Sequence, residues 1–262
     1  MRAHRWHDTA MDLGLSERAY VVTGGTRGLG WATARVLVEE GARVLLTGRD
    51  QTRAAAAANE LGRDAAAGLA ADNGDRGAAE RVVATAKARF GRLDGALISV
   101  GGPPSGRILD VHDGDWVRSF DTIMVGGLRM AKAVAAAVEP GGAIAFVLST
   151  SVRSPIPNLA ISNGIRAGLA MAAKTLADEL GPRGIRVVGL LPGRIATDRL
   201  VELDTAAGDA AATRRSNEKA IPLGRYGEPE EFGRTAAFVL SPAASYITGS
   251  MITVDGGALR TF

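Results

Sequence analysis

The chain has 262 residues, of which 46% are hydrophobic, 34 are glycine and none is cysteine. This length and apolar content allow a full core and exclude a disordered chain, while the missing cysteine excludes a disulfide framework, a thiolate nucleophile and a cysteine zinc site. A balance of 31 basic against 28 acidic residues, with no long run of like charge, argues against nucleic acid or a membrane surface as partner.

Residues 1–10 read as a flexible extension ahead of one domain over 11–262, and they lack the apolar core of a signal peptide. His4 and His7 within them have metal-like spacing but no third ligand nearby, so no metal site is expected. No uninterrupted apolar stretch is long enough for a membrane helix, and the expected location is the cytoplasm. Short apolar runs follow at Ala19–Thr23, Arg43–Thr47, Ala66–Ala71, Gly95–Ser99, Ala143–Ser149, Arg186–Leu191 and Met251–Val254. Amphipathic stretches at Leu29–Glu40, Gln51–Leu61, Asp75–Phe90, Asp113–Val138, Leu159–Leu180 and Pro229–Leu240 alternate with them. Strands separated by helices pair in parallel, because the helix supplies the crossover. The pattern predicts an α/β Rossmann-type doubly wound sheet of about seven parallel strands with helices on both faces. Gly193–Asn217 is the longest segment without clear periodicity and reads as a mobile loop over a site.

Between the first strand and the first helix lies Thr23-Gly24-Gly25-Thr26-Arg27-Gly28-Leu29-Gly30. Glycines there let the backbone turn sharply and approach a pyrophosphate at the positive end of a helix. Such loops also serve as plain strand-to-helix turns, but at the first βα turn of an alternating chain the dinucleotide reading is favoured.

This segment resembles the TGxxxGxG fingerprint of the short-chain dehydrogenase/reductase family. The resemblance runs from about Leu13 to the end and takes in Asp72, Gly101-Gly102, Pro192-Gly193 with Thr197, and the tail GRYGEPEEF…SYITGSMITVDGG. That tail is similar to the 3-oxoacyl-[acyl-carrier-protein] reductase branch. The resemblance implies a nicotinamide dinucleotide on Gly24, Thr26, Arg27, Gly28, Leu29 and Gly30, with Ser99 and Gly101 beside it. It implies Asp72 and Asn73 at the adenine, Pro192, Gly193, Ile195 and Thr197 at the nicotinamide, and a homodimer or homotetramer built through the fourth and fifth helices. An NAD site places an acid near the end of the second strand. Here Gly48 stands in that place with Arg49 next, and Arg27 adds a second cation. Two guanidiniums suit a 2′-phosphate, so NADPH is the expected cofactor, although either arginine also reads as a solvated surface charge.

The family's usual catalytic set is a helix asparagine, a serine ending the fifth strand, and Tyr-x-x-x-Lys on the fifth helix. Ser149 keeps the serine, but 13 residues on the tyrosine position holds Ser162, and four further on the lysine position holds Arg166. The asparagine position holds Ile123, and the Asn-Asn-Ala-Gly loop reads Ile98-Ser99-Val100-Gly101. None of the three tyrosines, Tyr20, Tyr226 and Tyr246, fills the acid position. A serine hydroxyl is a far weaker acid than a phenol, and arginine stays protonated, so neither passes a proton as the usual pair does. Ser149, Ser162 and Arg166 are expected to face one carbonyl, with Arg166 also meeting the cofactor ribose; equally, Ser162 and Arg166 read as ordinary residues of a helix first turn. Gly101–Gly106, with its two prolines, forms either a stiff wall of the substrate site or a plain rigid turn. The resulting reading is an NADPH-dependent reductase of a ketone or 3-oxoacyl-type carbonyl, free or carrier-linked. The alternatives are a catalytically silent NADPH-binding or partner subunit, and the same fold running non-redox chemistry.

Overall fold

The seven apolar runs form one parallel sheet in the computed structural model, which describes residues 12–206 and 208–261; the N-terminal extension with His4 and His7 lies outside the described residues. The strands are β1 (Ala19–Val22), β2 (Arg43–Gly48), β3 (Ala66–Ala70), β4 (Gly95–Ile98), β5 (Ala143–Val147), β6 (Arg186–Pro192) and β7 (Met251–Val254). Their spatial order is β3-β2-β1-β4-β5-β6-β7, so the order in which strands are added reverses between β1 and β4. In open sheets of this kind the crevice at that reversal, beyond the carboxyl ends of the strands, is where ligands sit.

Among the described residues the helices are α1 (Gly28–Glu39), α2 (Gln51–Leu61), α3 (Ala78–Phe90), α4 (Asp113–Ser119), α5 (Gly126–Ala137), α6 (Ala160–Leu180), α7 (Asp198–Ala206), α8 (Ala210–Ala220) and α9 (Pro229–Leu240). Successive strand side chains alternate between two apolar layers. Val21, Leu45, Ile98 and Phe146 pack with α3, α5 and α6. Tyr20, Val22, Leu46, Leu97 and Val147 pack with α1, α2 and α9 on the other face. Continuous apolar strands are what a sheet covered on both faces requires.

Two expectations change. The single helix read over Asp113–Val138 is α4 and α5 joined by a π-helical turn at Phe120–Val125. That turn holds Ile123, buried to 2% exposure within the apolar core, so its side chain offers the crevice nothing polar. The segment Gly193–Asn217 is not a bare loop, since it carries α7 and most of α8. Asp209 caps α8 by accepting hydrogen bonds from the Ala211 and Ala212 N–H groups at 2.9 and 3.1 Å. No residue of α8 is buried, which is why it shows no apolar stripe. None of the described helices is long and apolar enough to cross a membrane.

Candidate active site

The glycine loop leaves β1 and enters α1 at the reversal point. Gly24 and Gly28 have φ of 59° and 56°, in the region where only glycine is at ease. A Cβ on Gly30 would lie 2.4 Å from the Gly24 carbonyl oxygen, so the loop closes only around a bare α-carbon. Arg27 occupies the N-cap of α1 in extended conformation without a side-chain cap, which leaves the first N–H groups of the helix for an anion. Thr23 joins this loop to the one after β4, its hydroxyl donating to the Ser99 carbonyl at 2.8 Å and accepting from the Ser99 N–H at 2.9 Å. Thr197 closes a third side, since a Cβ on Gly28 would stand 3.6 Å from its methyl carbon.

Around this cradle the other expected cofactor residues take different stations. Arg49 is exposed at the end of β2 and forms no ion pair among the described residues. Arg27 is also exposed and lies 3.5 Å from the Asp198 carboxylate at the start of α7. A side chain at Gly48 would press its Cβ to within 2.7 Å of the Thr26 methyl carbon. Asp72 accepts from the Gly74 N–H at 2.9 Å in a short turn, and the Asn73 carbonyl accepts from the Arg129 guanidinium at 3.2 Å. Gly193 is held to β7 by its N–H to the Val254 carbonyl. Pro192 ends β6 beside it, whereas Ile195 is buried, its side chain in the core behind the crevice.

One step along the sheet, β5 ends and Ser149 caps the short turn Thr150–Val152, its Oγ accepting from the Ser151 N–H at 3.1 Å. That bond uses a lone pair, and the hydroxyl proton stays available to a ligand. Ser162 and Arg166, one turn apart on α6, are both about 6% exposed and share a face. The Arg166 guanidinium donates to the Val147 carbonyl at 2.8 Å and the Val100 carbonyl at 3.3 Å, tying α6 to the ends of β5 and β4. Burial, reinforced by the charge of Arg199, pushes Arg166 down to about 10, so it is still a cation at neutral pH.

Reading the sequence missed two groups. Arg199, on the first turn of α7, reaches across to the loop after β4 and donates to the Pro103 carbonyl at 2.9 Å. Behind it, buried Asp204 accepts from the Tyr226 hydroxyl at 2.9 Å, from Arg194 at 3.4 Å and from Asn217 at 3.4 Å. This network fastens α7 and α8 to the segment before α9. The only signal in the sequence was Tyr226 itself, noted for its absence from the acid position rather than for this one.

A family model described as enoyl-(acyl carrier protein) reductase matches residues 24–258. The chain belongs to the short-chain dehydrogenase/reductase family. It is therefore an oxidoreductase, as the named relatives are. The short-chain reductase protein NovJ of Streptomyces niveus is 34% identical, over 95% of this chain and 97% of that one. The 3-oxoacyl-[acyl-carrier-protein] reductase FabG of Vibrio harveyi is 32% identical, over 94% and 98%. Among solved structures, the L-sorbose reductase of Gluconobacter frateurii complexed with NADPH and L-sorbose is 29% identical, covers 96% of this chain and 100% of its own, and superposes with a TM-score of 0.89.

Proposed function

We propose that the protein is an NADPH-dependent carbonyl reductase, acting on a ketone or 3-oxoacyl-type carbonyl through Ser149, Ser162 and Arg166. The observation that carries this reading is that three donors, on α6 and at the end of the β5 strand it is tied to, are left unspent. Ser149 keeps its proton free, Ser162 enters no hydrogen bond among the described residues, and Arg166 has three of its five N–H groups left over. The cradle fits a dinucleotide because of the bare Gly30 contact and the uncapped start of α1. Bound there, NADPH would supply the hydride.

The chain's own residues do the rest. Ser149 and Ser162 donate to the carbonyl oxygen and hold it, and Arg166 sets a positive charge behind the oxygen as it becomes an alkoxide. None of these groups titrates near neutrality, so the proton reaches the alkoxide from water or from the substrate itself. The absent phenol forgoes a general-acid contribution of roughly 10²–10⁴-fold, and the crowded donors offset part of it. The cofactor end is served by Arg49, whose guanidinium, without an ion pair among the described residues, stands at the strand end where an acid would repel a 2′-phosphate. The likeness to the sorbose reductase, solved with NADPH, supports the same choice. The family resemblance further supports assembly as a homodimer or homotetramer.

The test is NADPH oxidation across a panel of ketones and 3-oxoacyl thioesters, with Ser149→Ala expected to lower kcat/KM by roughly 10²–10³-fold while NADPH still binds. Tight NADPH binding without turnover of any carbonyl would instead favour a silent binding subunit. Cofactor choice has its own expected result. Arg49→Ala should weaken NADPH binding, followed by nucleotide fluorescence, by roughly 10–100-fold, the value of charged hydrogen bonds to a phosphate. NADH binding should scarcely change in the same variant.

A further inference from the structure

Two guanidiniums from different helices donate to the loop after β4. Arg166 comes from α6 to the Val100 carbonyl at 3.3 Å, and Arg199 comes from α7 to the Pro103 carbonyl at 2.9 Å. Gly102 between them permits this, because a Cβ there would sit 2.9 Å from the Arg199 Nε. Arg166 has no carboxylate within 4.0 Å among the described residues, and the one charged group that bears on it is Arg199. Among the described residues Arg199 meets a single acid, Glu202 at 3.2 Å, which lies three residues along on the exposed side of α7.

The other buried arginine among the described residues shows what a purely structural solution looks like. Arg186 donates to the carbonyls of Val239 at 2.7 Å, Ser241 at 2.8 Å and Ile247 at 3.4 Å. The first two of these are at the C-terminal end of α9, the negative end of its dipole. Arg166 has no such end facing it and has a cation for neighbour instead. An uncompensated buried charge is costly, and a second like charge adds to the cost, unless a ligand brings the opposite charge.

Asp198 and Arg199, adjacent at the start of α7, turn to different loops: Asp198 to Arg27 on the cofactor loop, Arg199 to Pro103 on the loop after β4. An anion held by Arg199 would thereby lie at the loop after β4, away from the cofactor loop. A planar carboxylate matches the guanidinium fork in two parallel hydrogen bonds.

We propose that the substrate is a free oxo acid, whose carboxylate is gripped by Arg199 while its carbonyl faces Ser149 and Ser162 with the Arg166 charge behind it. This rests on the reductase reading, and it narrows it, because a carrier-linked thioester has no such carboxylate. Helix α7 then holds the substrate's charge, with Glu202 exchanged for the ligand.

The experiment compares acetoacetate and 4-phenyl-2-oxobutanoate with their methyl esters, in the wild type and in Arg199→Leu. The acids should be preferred in the wild type, and Arg199→Leu should cut the acid-to-ester ratio of kcat/KM by roughly 10–100-fold. In parallel, malonate and 3-phenylpropionate should raise the Tm of the NADP-loaded wild type but not that of Arg199→Leu. Carboxylate binding that depends on Arg199, without any turnover, keeps the anion site and removes the reductase reading. Turnover of neutral ketones and esters as good as that of the acids, with no carboxylate-dependent Tm shift, overturns the oxo-acid proposal and keeps the reductase. Weakened NADPH binding in Arg199→Leu, with acids and esters losing rate alike, makes Arg199 a cofactor ligand and also overturns it.

Discussion

Gly30→Ala should lose dinucleotide binding by on the order of 10²-fold or more, while the sheet stays folded. The added Cβ would stand 2.4 Å from the Gly24 oxygen, 2.9 Å from its carbonyl carbon and 3.1 Å from the Gly25 α-carbon. All three are backbone atoms, so no side-chain rotation relieves the clash and the loop itself must move. Gly24 has little freedom to yield, since its own α-carbon stands where a Cβ would be 2.8 Å from the Ser99 oxygen. Displacing the loop pulls the first N–H groups of α1 out of line with a phosphate, and two such charge-assisted bonds account for the lost affinity. Overpacking of this kind costs roughly 1–3 kcal/mol, which for a chain of this size lowers Tm by roughly 3–10 °C. Nucleotide fluorescence reads the first effect and a thermal scan the second. Gly181→Ala is the control, because nothing lies within 4 Å of its Cβ position and its φ is −51°. A Gly30→Ala protein that binds NADPH like the wild type would show that the cradle is elsewhere.

The alternation of apolar runs and amphipathic stretches marked every strand of the sheet, because a strand covered on both faces must be apolar along its length. The glycine loop was legible for a related reason: only a residue without a Cβ tolerates a carbonyl oxygen where Gly30 meets one at 2.4 Å, and positive φ favours the same residue type, so the geometry leaves a mark in composition. Other features leave no such mark. The π-helical turn at Phe120–Val125 shifts the helix by one residue within a continuous 3.6-residue pattern, and nothing in the residue types announces it. Helix α8 buries nothing, and its one local sign was the Asp209 cap. Arg199 belongs to the site through a contact with Pro103, nearly a hundred residues earlier, and in sequence it is one arginine among many.

Arg166→Met should separate stability from activity. Methionine fills much of the same volume, and the exchange removes a buried cation that no carboxylate balances. It leaves the Val147 and Val100 carbonyls without their donor, a cost of roughly 1–3 kcal/mol each if water does not reach them. Replacing buried charge by apolar volume is often neutral or stabilising, so a Tm close to or above that of the wild type is expected. The difference should depend on pH with a definite sign. Arg166 is held down to about 10 from an ordinary value of 12.5, so above about pH 10 the folded state carries fewer protons at this position than the unfolded one. Stability of the wild type relative to Arg166→Met therefore rises as pH climbs through that window, and below it the full penalty of the charge persists. Activity runs the other way. With the charge behind the developing alkoxide gone, kcat/KM should fall by roughly 10²–10³-fold in Arg166→Met. In the wild type the rate should be flat through neutrality, where no site group titrates, and should decline as pH approaches and passes 10 and the guanidinium loses its proton. A phenol-like acid limb near neutrality in the wild type, or full activity in Arg166→Met, would assign the electrostatic role to another residue.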